Sequence, residues 1–161
     1  MSSNVREATL EFISDIHKFF LKDLDQLSEE QVQSSPGGSA RRPIDYVFEC
    51  ELVHRFIAAR LTGGDPAKAW EGTVRDDNGF IVAPDGLTKE QARAGFSDSL
   101  MAIHELVAKA SDEELLHVVK TSSGEEPFYS LAMFAAVHCN YHNGQLAQVQ
   151  GLAGDGKNHW F

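Results

Sequence analysis

Two histidines in the last third of the chain, His138 and His142, have the type and spacing of metal ligands. Because they are four positions apart, both imidazoles project from one face of a helix, about one turn apart. Neutral imidazole binds zinc and related divalent ions, and the apolar residues around this pair favour the neutral form. Histidines at this spacing also occur as hydrogen-bonded residues of cores and interfaces, so the pair alone leaves both interpretations open.

Gln145 continues the same helix face, one turn after His142. From that position its side chain could hydrogen-bond an imidazole and fix the orientation of the ring. The alternative is a packing contact beside Gly144, a residue that would let another helix approach closely. Both roles are compatible with the pattern.

The segment that begins at His138 reads His-Cys-Asn-Tyr-His-Asn-Gly-Gln-Leu. It resembles the H-x3-H-x-Gly-Gln-[Leu/Ile] signature on the last helix of the DinB-like superfamily of four-helix bundles, and the resemblance covers nearly the whole chain. It implies a divalent ion, often zinc or nickel, held by three histidines in a cleft of the bundle. His138 and His142 would be two of them. Related enzymes include thiol-cofactor S-transferases, a mycothiol-dependent isomerase and glutathione-dependent dehalogenases, which implies a small-molecule substrate and a low-molecular-weight thiol as a possible cofactor.

The third ligand is the point at which this sequence departs from the signature. By resemblance it lies near the middle of the second long helix, at Phe48 or Glu49, and neither residue is a histidine. Glu49 could complete a set of two histidines and one carboxylate, with a fourth position open to water. His54 is the other candidate, but its side chain points about 140° away from that of Glu49 around the helix, and we prefer Glu49. The alternative for Glu49 is a partly solvated carboxylate or an ion pair with one of the arginines Arg41, Arg42 and Arg60.

His159 is a further candidate ligand, in the segment Asn-His-Trp-Phe. Trp160 and Phe161 are large apolar residues at a place where a chain usually frays, so we expect them to dock on the bundle or on a partner chain. If they dock at the mouth of the cleft, His159 could approach the metal site.

Apolar residues at spacings of three, four and seven predict the helices that would position these side chains. Capping boxes at Ser28, Thr88 and Ser111 mark the starts of helical segments, and Pro43 suits a first helical turn. The predicted long helices cover residues 4–25, 43–61, 88–110 and 128–151.

Apolar residues over residues 63–87 recur at no regular helical or strand spacing, so we predict a long crossover loop there. Trp70 and Phe80 in this loop could line the cleft. A loop of this length could return along the second helix and start a parallel one. Residues 121–127 predict a second loop, and no strand is convincing. The predicted fold class is all-α, a four-helix bundle with long crossover connections, in a single domain over residues 1–161.

The composition excludes some classes of function. The formal net charge of −10 disfavours binding to nucleic acid, and the longest apolar run is too short to span a membrane. The two cysteines, Cys50 and Cys139, form no CxxC pair and predict buried, inert thiols in a reducing compartment. With no apolar core of a signal peptide, we expect a cytoplasmic protein.

The pair Arg41 and Arg42 could attract an anionic substrate, or could be solvated in a loop.

Two hypotheses follow. In the first, the chain is a metal-dependent S-transferase or hydrolase, with Glu49, His138 and His142 as ligands and a metal-bound thiolate or water as nucleophile. In the second, it is a non-catalytic bundle that binds a small molecule or self-associates. We also expect a homodimer, by resemblance and because the second helix is apolar on nearly all sides.

Overall fold

Six helices, four of them long, make up most of the computed structural model, which describes residues 2–121 and 124–160. The long helices agree with the predicted ranges to within a few residues. The all-α bundle is therefore confirmed. In chain order the helices are α1 (Ser2–Gln26), α2 (Glu29–Gln33), α3 (Pro43–Leu61), α4 (Lys89–Lys109), α5 (Asp112–Leu116) and α6 (Phe128–Leu152).

Local sequence signals set the ends of these helices. The side chain of Thr88 accepts a hydrogen bond from the backbone N–H of Gln91, whose side chain returns to the backbone of Thr88, as in a capping box. Pro43 lies in the first turn of α3, where its missing N–H costs nothing. Gly63 follows the end of α3 with a φ of 70°, a conformation that favours glycine.

Contacts between α3 and α4 show the direction of the crossover. His54 on α3 lies beside Ser99 on α4, and one turn earlier Glu51 lies against Gly95. Both pairs advance in the same direction, so α3 and α4 run parallel. The connection between them therefore returns along the bundle, as predicted.

The connections are not plain loops, and the expectation of no strands was wrong. A 3₁₀ turn (Pro66–Trp70) precedes a short hairpin, and a second hairpin lies between α5 and α6. The predicted loop at 121–127 contains a strand, while residues 122 and 123 lie outside the described part. These strands have only two to four residues each, too few to show a period-two pattern in the sequence. The strands are β1 (Val74–Arg75), β2 (Ile81–Val82), β3 (Val118–Thr121) and β4 (Gly124–Pro127).

Apolar side chains from all four long helices form one continuous core, in which Phe20 of α1 stacks on Phe96 of α4 with ring centroids 4.0 Å apart. The 3₁₀ turn and β2 pack against α3 and cover sides that the bundle leaves open. The apolar sides of α3 that suggested a homodimer are thus covered by other parts of the same chain. The homodimer stays a prediction. Within the described residues, no helix is both long and apolar enough to cross a membrane.

The end of the chain docks on its own bundle. The ring of Trp160 stacks on Phe19 of α1 with centroids 4.8 Å apart, and its Nε1–H donates to the carboxylate of Asp23 at 2.8 Å. Phe161, expected to dock with it, lies outside the described residues. Intramolecular docking therefore accounts for Trp160.

Candidate metal centre

His138 and His142 lie side by side on α6, with ring centroids 4.7 Å apart. Because α3 packs along α6, Glu49 lies opposite both imidazoles. Its Oε1 is 3.7 Å from Nε2 of His138 and 3.9 Å from Nε2 of His142. The structure thus brings together the three residues that the sequence suggested as ligands.

The two distances from Oε1 of Glu49 to the histidine nitrogens suit ligands of a shared ion better than they suit hydrogen bonds. Separations of 3.7 and 3.9 Å are too long for hydrogen bonds between nitrogen and oxygen. Ligand atoms at zinc distances of about 2.0–2.2 Å in a tetrahedron lie roughly 3.4 Å from one another. Two imidazole nitrogens and one carboxylate oxygen are also a donor set that catalytic zinc sites use. The residues present therefore fit a divalent ion.

Each imidazole has a separate partner for its other nitrogen. Nδ1 of His142 lies 2.6 Å from Oε1 of Gln145, to which it donates when it carries the proton. Nδ1 of His138 lies 3.8 Å from the sulfur of Cys50. Such contacts hold the rings so that both Nε2 atoms face Glu49 and are free to accept a metal.

Cys50 is a member of the cluster that sequence reasoning missed. Ligand atoms of Cys50, His138 and His142 all lie within 4.8 Å of one another, so this group could also hold a metal ion. The sequence suggested a buried and inert thiol, because no second cysteine lies nearby in a motif. The only available signal was its position next to Glu49 in a helix that packs on α6.

Arg41 anchors the carboxylate from the other side. Its Nη1 lies 2.6 Å from Oε2 of Glu49, and its Nη2 donates to the backbone carbonyl of Ile81 at 2.7 Å. The guanidinium lies over the rings of Tyr46 and Phe80, at 5.3 and 5.0 Å from their centroids. The ion pair weighed as an alternative for Glu49 is therefore present together with the contact to the histidines.

The charges of the cluster depend on burial and on these contacts. Burial acts to raise the pKa of Glu49, but its contacts with His138 and Arg41 outweigh this effect and lower the pKa to about 2. Burial acts to lower the pKa of His138, but hydrogen bonding to Cys50 and contact with Glu49 raise it to about 9. Burial lowers the pKa of His142 to about 4. At neutral pH the metal-free cluster thus holds an ionised Glu49, a protonated His138 and a neutral His142.

A cavity of about 410 Å³ opens onto the cluster. The three suggested ligands lie in its wall together with Arg41 and Phe80. Among the described residues, Trp70 is not part of this wall, because its ring packs against Phe56 with centroids 5.6 Å apart. The cavity has the size of a small-molecule site.

The structure does not bring His54 or His159 to the cluster. His54 is fully buried on the opposite side of α3, where its Nε2 lies 2.8 Å from the sulfur of Cys139 and its Nδ1 lies 2.8 Å from the hydroxyl of Ser99. Burial lowers its pKa to about 3, so it stays neutral in the core. Nε2 of His159 lies 2.9 Å from the carboxylate of Asp155, and His159 does not line the described cavity.

Solved structures of DinB-like proteins share this fold. A DinB-like protein from Bacillus cereus matches with a TM-score of 0.69 and 15% sequence identity, over 92% of this chain and 92% of its own. A conserved protein from Enterococcus faecalis matches with a TM-score of 0.59 and 16% identity, over 91% of this chain and 95% of its own. No protein-family model matches the sequence, and no curated protein is significantly similar to it. The chain therefore has a DinB-like fold.

Proposed function

We propose that this protein binds one divalent metal ion, zinc or nickel, through Glu49, His138 and His142, and acts on a small molecule as an S-transferase or hydrolase. The observation that carries the proposal is the convergence of both Nε2 atoms on Oε1 of Glu49. A divalent ion with three protein ligands lowers the pKa of a water or thiol in its open position, and so supplies a nucleophile at neutral pH.

The protein's own residues keep this site in place. Gln145 accepts from Nδ1–H of His142, and the sulfur of Cys50 does the same for His138, which leaves both Nε2 atoms unprotonated when the metal is bound. Arg41 holds the second oxygen of Glu49, so the first oxygen stays directed at the histidines. The cavity beside them gives a small molecule access to the residues that would hold the ion.

We favour Glu49 over Cys50 as the third ligand because one imidazole cannot offer both of its nitrogens to the same ion. His138 faces Glu49 through Nε2 and Cys50 through Nδ1. The Nε2 of His142 also faces Glu49, and its Nδ1 is engaged by Gln145. Both histidines can therefore bind the ion through Nε2, together with Glu49. Cys50 then contacts Nδ1 of His138 and is not a ligand.

Elemental analysis of untagged protein after incubation with Zn²⁺ or Ni²⁺ and desalting tests this proposal. We expect about one metal ion per chain, and loss of the metal in His138→Ala and Glu49→Ala. Cys50→Ala should keep most of it, and His117→Ala serves as an exposed histidine control. Retention in Glu49→Ala with loss in Cys50→Ala would instead assign the cysteine set.

The second candidate function is a non-catalytic bundle that binds a small molecule. It is favoured by the ion pair of Arg41 with Glu49, which balances the charge of the carboxylate without a metal. Wild-type protein that retains no metal would support this function and contradict the enzyme proposal.

A further inference from the structure

A second cavity, of about 460 Å³, lies between α3, the β3–β4 hairpin and the first half of α6. Its wall is mostly apolar and includes Phe56, Ile57, Met133 and Phe134. This volume is within the range of small-molecule sites. The role proposed for the metal centre does not use it.

An exposed apolar stripe on α6 contributes residues to the walls of both cavities. Phe134, Val137 and Tyr141 follow one another at helical spacings of three and four, and they are 52%, 49% and 66% exposed. Phe134 and Val137 line the second cavity, and Tyr141 lines the first. Val137 of the second cavity and His138 of the first are consecutive residues, so the two cavities lie at neighbouring positions along α6.

The charges at the two ends of this stripe differ. A divalent ion would add two positive charges beside Arg41, against the single negative charge of Glu49, so the metal end favours an anionic group. The wall of the second cavity is mostly apolar and aromatic, and its two charged residues, Arg60 and Glu126, have opposite signs, so a charged group would lose hydration there with no net charge to attract it. The combined surface therefore suits a molecule that is acidic at one end and apolar at the other.

We propose that the ligand of this site is a monoanionic amphiphile, of the class of medium-chain carboxylic acids, with its acid group at the metal centre and its tail in the second cavity. The inference rests on the proposed metal site. Ser130, in the wall of the second cavity, lies eight positions before His138 on α6, a distance of roughly 12 Å along the helix. The tail is thus a chain of medium length.

The test is calorimetric titration of the zinc-loaded protein with butanoate, hexanoate, octanoate and decanoate. We expect the affinity to rise up to about fourfold for each methylene that becomes buried, until the tail fills the cavity. His138→Ala should weaken binding of every acid while leaving the gain per methylene in place. Equal affinities along the series would overturn the proposal.

Variants of the stripe locate the tail. Phe134→Ala and Val137→Ala should each flatten the dependence on chain length, whereas Leu116→Ala, which removes a side chain that is 56% exposed and outside both cavities, should leave it unchanged. A dependence that survives both stripe substitutions would place the tail elsewhere. If sedimentation shows that Phe134→Ala breaks a dimer instead, a second copy of the chain covers the stripe and the proposal fails.

Two readouts separate this inference from the metal proposal. Metal content is measured before any acid is added, so its absence contradicts the proposed function directly. Arg60 also lines the second cavity, and its Nε is buried with no hydrogen-bond partner among the described residues. Unchanged decanoate binding in His138→Ala, with loss in Arg60→Gln, would show that the acid group is held by Arg60 and would overturn the assignment to the metal centre.

Discussion

At the scale of single residues, Glu49 combines two functions that a partly buried carboxylate can have. Its Oε2 pairs with Arg41, and its Oε1 faces two imidazoles at distances that suit a shared ion. A carboxylate in this position needs compensation because burial disfavours its charge. Arg41 supplies that compensation without occupying the oxygen that faces the histidines.

Metal binding should release protons in a number that identifies the third ligand. In the metal-free cluster the pKa of His138 is raised to about 9, so a metal must displace its proton at neutral pH. We expect one proton per ion if Glu49 is the ligand, and two if Cys50 is, because burial raises the pKa of that thiol well above its usual value. The measurement is calorimetry in buffers of different ionisation enthalpy.

The proton that His138 loses also determines the direction in which the metal affinity changes with pH. A group that loses its proton on metal binding makes the apparent affinity increase with pH, and the increase ends above the pKa of that group. For one proton we expect about a tenfold gain per pH unit up to about 9. A fall in affinity over this range would contradict the assignment of His138.

At the scale of elements, two glycines in helices have opposite surroundings. Gly144 was expected to allow close approach of a helix, but a Cβ built there would meet no described residue within 4 Å, so that expectation was wrong. A Cβ at Gly95 on α4 would overlap the carboxylate of Glu51, which is buried and paired with Arg55. The crowded helix glycine is thus Gly95, which makes room on α4 for the Glu51 side chain of α3.

Substitution by alanine at each glycine tests this difference. Gly144→Ala should raise the free energy of unfolding by about 0.5–1 kcal/mol, because alanine is the better helix former and has room. Gly95→Ala should lower it, since either α4 or the Glu51 side chain must move. Urea unfolding of both variants gives the comparison, and equal effects would contradict it.

At the scale of the whole molecule, the end of the chain closes over α1. Lys22 donates to the backbone carbonyl of Trp160 at 2.9 Å, and Gln150 on α6 donates to the backbone carbonyl of Asp23 at 2.6 Å. These contacts tie α1, the end of α6 and the terminal segment into one unit. The carboxylate of Asp23 is buried there and accepts from the indole of Trp160.

Replacing that indole should destabilise the fold. Trp160→Phe keeps an aromatic ring on Phe19 but leaves a buried carboxylate without its donor, so we expect a loss of about 1–3 kcal/mol in the free energy of unfolding. Trp70→Phe is the matched control, because Trp70 contacts Phe56 and Arg75 through its ring. Equal losses in both variants would indicate a general effect of tryptophan removal.

The sequence by itself determined the four long helices, their caps, the crossover and the pairing of His138 with His142. These features depend on helical periodicity and on hydrogen bonds between residues close in sequence, which a pattern records directly. The choice of Glu49 as a candidate ligand followed from the resemblance to the DinB-like superfamily, which places the third ligand near the middle of α3. Only the tertiary structure decided that Cys50 and Arg41 adjoin the cluster, that His54 faces the core, and that the connections pair as hairpins. The contacts of Cys50 and His54 join residues far apart in the chain, and all of these features depend on how α3, α4, α6 and the connections pack together.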